Sequence, residues 1–176
     1  MPGTIVPSQM FDHECNVLKG WWHAHALDKT APLKSGEEIN AGHVCYLDQN
    51  GEFALGLPDN VMPCFAFPNS DDFDVSADVG NTQSENMMAL PATGSYELQT
   101  TEYDTSYTFA VNDYLTAWNS ELVGYTAAKN GQVRTCNPFE NTVCGICSGG
   151  VATNEHGKNW VSLWTYHLPV DLTASS

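Results

Sequence analysis

The chain has 176 residues, enough for one compact domain, and 42% of them are hydrophobic, enough for an apolar core. Six Lys and Arg residues against 21 Asp and Glu residues give a formal net charge of −15 at pH 7. Phosphate backbones and anionic lipid surfaces repel a protein of this charge, so the composition argues against nucleic acids and membranes as partners. No run approaches the roughly 18 apolar residues of a membrane-spanning helix.

The N-terminal sequence lacks the basic patch and the long apolar stretch of a secretory signal, so we expect no export. In a reducing cytosol, the six cysteines are expected to be free thiols rather than a disulfide framework. Residues 1–20 carry Pro2, Gly3 and Pro7 and show little periodicity. They predict an extended N-terminal arm that becomes ordered only by docking on a surface.

The next part of the chain predicts short strands and turns. Residues 21–27 are a candidate first strand, and residues 44–47 are a second. The second ends in Asp-Gln-Asn-Gly at 48–51, and its Asn-Gly pair is typical of a tight β-hairpin. Prolines confine a further strand at 64–67. Four aspartates within the polar stretch 69–85 indicate a solvated acidic loop: Asp71, Asp72, Asp74 and Asp78.

The second half of the chain contains several strand-like runs. Residues 95–111 are rich in Thr, Tyr and Phe with partial alternation. Five shorter runs follow, at 115–118, 122–126, 132–135, 142–147 and 160–168. Turns at 129–131 and 156–158 separate some of them.

Strands recur at the spacing of sandwiches and barrels, and no long window has helical periodicity. We therefore predict an all-β fold, a β-sandwich or barrel-like (jelly-roll-like) domain over residues 21–176. A similar order of strand, Asn-Gly turn, strand and apolar run occurs near 44–67 and near 122–147. It leaves open a division into two small β-modules, about 21–95 and 96–176.

Several segments in the second half resemble a known family. They are Ala110–Ala117 (AVNDYLTA), Val143–Gly150 (VCGICSGG), Asn154–Lys158 (NEHGK) and Leu163–Pro169 (LWTYHLP). Their order resembles the C-terminal half of the capsid decoration (cement) proteins of tailed bacteriophages. Residues 35–56 are similar to that family's hairpin, and together these segments cover about half of the chain. The sequence departs from the family pattern at Cys144 and Cys147, where valines are expected.

The resemblance implies a structural virion protein without catalytic duties. It would be made in the host cytoplasm and would bind the outer surface of an assembled capsid, cementing neighbouring major capsid subunits. It would be a homo-oligomer, with a trimer and a dimer both compatible. A virion adhesin or head-fibre, or a carbohydrate-binding module, is the alternative, since aromatic side chains on β-scaffolds also suit sugar stacking.

Thiol and imidazole side chains in the C-terminal third raise the question of a metal site. Cys136, Cys144, Cys147 and His156 include a Cys-x-x-Cys pair, a spacing found in tetrahedral zinc sites. A strand at 143–147 would place the two cysteines of the pair on opposite sides, and a second Cys pair is absent. We therefore expect no metal and no cofactor, with small buried thiols as the favoured interpretation.

Other candidate constellations also favour structural roles. A trio of His13, His23 and His25 could sense pH or hold a metal, but packing beside Trp21 and Trp22 is favoured. Gly145 stands three residues before Ser148, so no Gly-x-Ser-x-Gly nucleophile elbow exists. The remaining conspicuous aromatics are expected to anchor a core or an interface: Trp118, Tyr125, Trp160, Trp164 and Tyr166.

Overall fold

The structure is a computed structural model that describes residues 4–5, 15–20, 29–67, 87–92, 96–153 and 157–169. Within these ranges the chain is built from strands and a single 3-10 turn, Ala127–Lys129. The strands are β1 (Thr4–Ile5), β2 (Cys15–Gly20), β3 (Lys29–Ala31), β4 (Glu38–Ile39), β5 (Val44–Leu47), β6 (Phe53–Leu55), β7 (Cys64–Phe67), β8 (Met87–Pro91), β9 (Tyr96–Thr100), β10 (Tyr114–Ala117), β11 (Val133–Thr135), β12 (Val143–Thr153) and β13 (Asn159–Leu168). Over these ranges, no helix has the length and apolar character needed to cross a membrane.

The longer strands form two antiparallel sheets. The six-stranded sheet has the order β11-β10-β12-β13-β9-β2, and the five-stranded sheet has the order β3-β8-β7-β5-β6. A two-residue parallel ladder joins β1 to β4. The prediction of an all-β, sandwich-like domain is confirmed.

The main core lies between the two sheets. Strand residues alternate between the two faces of a sheet, so every second residue of a strand points into this core. The largest contributions come from fully buried side chains of both sheets: Val44, Phe65 and Leu90 from the five-stranded sheet, and Leu98, Leu115, Val161 and Leu163 from the six-stranded sheet.

The two sheets differ in how their outer faces are covered. On the five-stranded sheet, Cys45, Cys64 and Ala89 alternate with the core residues and are buried in a second apolar cluster with Leu33 and Ile39. This sheet is therefore buried on both faces, as its continuous apolar strands require. The outer face of the six-stranded sheet instead carries exposed aromatic side chains, described below.

A buried polar joint connects the sheets at one edge of the core. The Nε2 atom of His43 lies 3.0 Å from Oε2 of Glu102, and its Nδ1 atom accepts a hydrogen bond from the Asn40 N–H at 3.0 Å. This pattern fixes the tautomer, with the proton on Nε2. Nearby, Thr100 Oγ1 donates to the Gly42 carbonyl, and Val44 N–H donates to the Gly131 carbonyl.

Loss of the His43 imidazole is expected to weaken this joint. We predict that His43→Leu lowers the free energy of unfolding by about 2–3 kcal/mol, because it removes a donor to a buried carboxylate and the acceptor of a backbone N–H. His43→Gln, which keeps one donor and one acceptor, should lose less. Urea unfolding followed by tryptophan fluorescence measures both changes, and equal midpoints for His43→Leu and the parent would contradict the prediction.

Most of the expected strands appear where the pattern indicates. The hairpin of β5 and β6 is confirmed, with Gly51 at φ +76° in its turn. The strand expected at 122–126 is wrong: this segment is a turn-rich loop in which Val123 is 99% exposed. Local turns take the place of a strand here: Leu122 N–H donates to the Asn119 carbonyl, Tyr125 N–H donates to the Leu122 carbonyl, and Gly124 has φ +85°.

Other expectations fall partly or wholly outside the described residues. The candidate strand 21–27 and the acidic loop 69–85, with Asp71, Asp72, Asp74 and Asp78, lie outside them. Of the predicted arm, 1–20, two segments are described, and both are paired: β1 with β4, and β2 with β9. The five-stranded sheet is built from strands between residues 29 and 91, and the six-stranded sheet from β2 and the strands after residue 95, so the two-module division stays a prediction.

Candidate binding face on the six-stranded sheet

A row of directly paired residues crosses the outer face of the six-stranded sheet. Tyr114 of β10 lies opposite Ile146 of β12, and Ile146 lies opposite Trp164 of β13. The row continues to Glu97 of β9, the other partner of Trp164. Paired residues on adjacent strands project to the same side, so these four side chains lie next to each other. Leu163, beside Trp164 in the chain, is fully buried, which places the row on the outer face.

The aromatic members of this face are only partly covered. Trp164 is 42% exposed, Tyr166 is 40% exposed and Tyr114 is 38% exposed, while Ile146 is half-buried. We call these four residues the aromatic patch. Rings that are held on strands of one sheet and remain partly in water form a rigid apolar surface, and such surfaces mark interaction sites.

An acidic group follows Trp164 in the row. Glu97 is buried, and the hydroxyl of Ser148 on β12 donates a hydrogen bond to its carboxylate. On its other side, Glu97 lies opposite Lys19 of β2.

Near the end of β10, the buried Asp104 accepts hydrogen bonds from three residues. Asp104 Oδ2 accepts hydrogen bonds from Trp118 Nε1 at 2.9 Å and from Lys129 Nζ at 2.7 Å. Its Oδ1 accepts from both the N–H and the hydroxyl of Ser106. Burial by itself raises the pKa of Asp104, but the hydrogen bonds from Lys129, Ser106 and Trp118 outweigh burial and hold that pKa well below its usual value. The carboxylate is therefore charged at neutral pH.

The only arginine of the sequence lies beside this aspartate cluster. The guanidinium carbon of Arg134 is 4.7 Å from the ring centre of Trp118 and 6.0 Å from that of Tyr107. Lys129 Nζ is 5.3 Å from the Trp118 ring centre. These distances suit cation–π attraction, which holds the Arg134 side chain in one orientation. Arg134 Nη2 donates to Asn141 Oδ1 at 3.0 Å.

An open pocket of about 530 Å³ lies between Tyr114 and this arginine. Three elements build it: the turn before β10, the β11 strand, and the loop that follows β11. The lining residues are Asn112, Asp113, Tyr114, Arg134, Thr135, Cys136, Asn137, Glu140 and Asn141. Tyr114 thus belongs both to the aromatic patch and to the wall of the pocket.

Two of the thiols considered as metal ligands, Cys144 and Cys147, are buried in the same main core, where opposite sides of the strand were expected. Cys144 and Cys147 are fully buried, Cys136 is half-buried at the pocket, and His156 lies outside the described residues. Burial raises the pKa of the Cys136 thiol to about 12, against a smaller opposing effect of Arg134, and burial also raises the pKa of Cys144. Such thiols stay protonated at neutral pH. In the described part of the chain, no three His, Cys, Asp or Glu side chains are arranged to hold a metal ion.

The aromatic anchors divide into two groups. Trp118 is a buried part of the Asp104 cluster, and Trp160 and Tyr125 are half-buried. Trp164 and Tyr166 are on the exposed patch. The histidines His13, His23 and His25 lie outside the described residues.

Sequence reasoning did not single out Tyr114, Asp104 or Arg134. Tyr114 and Arg134 come together only through the pairing of β10 with β11. One signal was available for Arg134, since a single arginine in a chain of net charge −15 is conspicuous.

Comparisons with protein-family models, with curated proteins and with solved structures found no significant match to this chain.

Proposed function

We propose that the protein is a structural virion protein that binds the outer surface of an assembled tailed-phage capsid and cements neighbouring major capsid subunits. The observation that supports it best is the aromatic patch on the six-stranded sheet, with Trp164 42% exposed and Tyr166 40% exposed. The order of sequence motifs that resembles the decoration proteins suggests the partner. Several of those motif residues, from Tyr114 to Trp164 and Tyr166, belong to the patch itself.

The partner surface is expected to have a complementary chemistry. An apolar area would cover the rings of the aromatic patch, and basic side chains at its rim would face the acidic surroundings. Charge of the opposite sign speeds docking, whereas the net charge of −15 opposes contact between free copies. Each copy then contributes a modest affinity, and oligomers at threefold or twofold positions multiply it.

The proposal assigns no catalytic role. Two interior clusters of titratable groups have structural contacts: His43 and Glu102 join the sheets, and Asp104 holds Trp118 and Lys129. The buried thiol of Cys144 is kept protonated by its surroundings.

The direct test adds the purified protein to capsids that lack it and images them by electron cryo-microscopy. Density at symmetry-related positions on the outer surface would establish cementing and give the oligomeric state. Particles without such density would contradict the proposal. Heating or osmotic shock of the same particles then measures whether the bound protein resists rupture.

The aromatic patch predicts which side chains carry the binding. We expect the double variant Trp164→Ser/Tyr166→Ser to bind capsids at least about 30-fold more weakly, because central aromatic anchors contribute roughly 2 kcal/mol or more. Co-sedimentation with capsids over a range of protein concentrations measures the loss.

The matched control is Leu47→Ser. Leu47 is 47% exposed on β5, so it tests the loss of an equally exposed apolar side chain on the other sheet. Capsid binding should be unchanged in this variant. Normal binding by the double variant, or loss of binding by Leu47→Ser alone, would show that a different face docks.

A second candidate function, an adhesin or a carbohydrate-binding module, is favoured by one observation. The pocket beside Tyr114 combines amide, carboxylate and guanidinium groups with an aromatic wall. Sugars present hydroxyl groups on their edges and C–H groups on their faces, and this combination of side chains matches both.

A further inference from the structure

The geometry points to a binding site for a neutral saccharide in the pocket between β10, β11 and the loop 136–141, with Tyr114 as its stacking wall. The inference does not rest on capsid binding, and it concerns a concave site rather than the flat patch.

The size and polarity suit a small polyhydroxylated ligand. The volume of about 530 Å³ falls within the range of small-molecule sites. Three carboxamides, two carboxylates, a guanidinium and two hydroxyls line the pocket, so hydrogen-bond donors and acceptors alternate around it. A ligand that offers donors and acceptors on every side can satisfy such a wall, and a ring of hydroxyl groups does so.

The polar groups are held in place before any ligand arrives. Asp113 Oδ2 accepts from the Ala110 N–H at 2.8 Å, and Asn137 Oδ1 accepts from the Phe139 N–H at 3.1 Å. Asn141 Oδ1 accepts from Arg134. Fixing these side chains in advance reduces the entropy that binding would otherwise cost.

The guanidinium at the wall retains hydrogen-bonding capacity. Arg134 is oriented by Trp118 and Asn141, and its Nε atom is buried without a hydrogen-bond partner in the described part of the chain. An unsatisfied buried donor is costly, and a small shift of the side chain towards a ligand oxygen would satisfy it.

The charges of the wall favour a neutral ligand. Asp113 and Glu140 carry two negative charges against the one positive charge of Arg134, in a chain that is already strongly acidic. Phosphorylated or carboxylated ligands would be repelled. A small cation would meet the guanidinium at the same wall, so neither sign of charge is well accommodated.

The rim supplies apolar surface for the C–H faces of a sugar ring. Tyr114 lines the pocket and is 38% exposed, and two exposed apolar residues are chain neighbours of lining residues: Phe139, 74% exposed, next to Glu140, and Val111, 58% exposed, next to Asn112. Solvent-exposed apolar side chains at the rim of a polar pocket are typical of an interaction site. From Tyr114, the aromatic patch leads to Trp164 two strands away, about 10 Å, so a longer saccharide has a second ring to contact.

The test follows the amide NMR signals of the ¹⁵N-labelled chain during titration. The neutral probes are tetrasaccharides of glucose, mannose and N-acetylglucosamine, and the charged probes are trigalacturonate and inorganic phosphate. We expect at least one neutral probe at millimolar concentration to shift the signals of Asn112, Tyr114 and Asn141. The two charged probes should leave those signals in place.

Variants at the rim locate the binding. Tyr114→Ala should weaken the binding of the active probe about tenfold, because one stacking surface is lost. Phe139→Ala should also weaken it, and since Phe139 is 74% exposed, this change leaves the fold intact. Val123→Ala, at a 99% exposed position in another loop, is the control and should bind normally.

Three results would overturn the inference: no signal shift with any neutral probe, shifts confined to residues away from the pocket, or phosphate bound as well as the neutral probes. Capsid binding is measured separately, so failure of one proposal is distinguishable from failure of the other.

Discussion

Replacing Gly56 with alanine is expected to lower the free energy of unfolding by about 4 kcal/mol or more, since it combines backbone strain with a steric clash. Gly56 has φ +95°, a conformation that residues with a Cβ atom rarely adopt. An added Cβ would lie 2.8 Å from the Trp118 carbonyl oxygen and 2.9 Å from Cβ of Asn119. The first of these contacts is with backbone, so it cannot be relieved by a side-chain rotation.

The position of Gly56 explains why the substitution should destabilise the whole fold. Gly56 follows β6 of the five-stranded sheet and contacts the turn after β10 of the six-stranded sheet. The next residue, Leu57, is buried in the main core and accepts a hydrogen bond from Asn119 at its carbonyl. Moving the chain to relieve the clash would separate the two sheets at this point.

A substitution at a second glycine, Gly51, measures the backbone strain without the steric clash. Gly51 has φ +76°, and a Cβ added there meets no atom within 4 Å. Gly51→Ala should therefore cost only about 1 kcal/mol, the strain of the left-handed conformation. Urea unfolding of both variants measures the difference, and similar losses would mean that the close approach at Gly56 is unimportant.

Asp104→Asn is expected to lower the free energy of unfolding by about 3 kcal/mol at neutral pH, although the side chain keeps its shape. The change removes the charge that attracts Lys129 Nζ and weakens the bonds from Trp118 and Ser106. Asp59→Asn is the control. Asp59 is exposed, so this variant should have the same free energy of unfolding as the parent protein.

The contribution of Asp104 to the free energy of unfolding should decrease as the pH becomes acidic. Because the pKa of Asp104 is lower in the folded than in the unfolded chain, its stabilisation is fully present above the unfolded pKa of about 4. It is lost as the pH falls from there towards the folded pKa. The difference in stability between the parent and Asp104→Asn should therefore be constant near pH 7 and shrink below pH of about 4. A difference that grows at acidic pH would contradict this assignment.

The same aspartate links stability to the candidate site. Asp104 holds the Trp118 ring, and this ring lies against the guanidinium of Arg134 at the wall of the pocket. The side chains that line the pocket are thus positioned by a buried group that does not line it. A pocket built from a strand end and a loop depends on such support for its shape.

The fold class and the local turns follow from short-range patterns of amino acids. Short runs of β-branched and aromatic residues with period two make strands wherever they find partners, and Asn50-Gly51 closes a hairpin because glycine accepts positive φ. These are properties of a few neighbouring residues. The acidic charge and its consequences for partners are likewise fixed by composition alone.

The burial of individual aromatic residues and the location of the candidate site depend on contacts between distant parts of the chain. Trp118 and Trp164 look alike in the sequence, yet one is 5% exposed and the other is 42% exposed. Residues 122–126 have the composition of a strand, yet they form local turns that begin from the buried Asn119. Burial and pairing depend on residues distant in the chain, and the pocket exists because pairing with β10 brings Tyr114 and Arg134 to the same face.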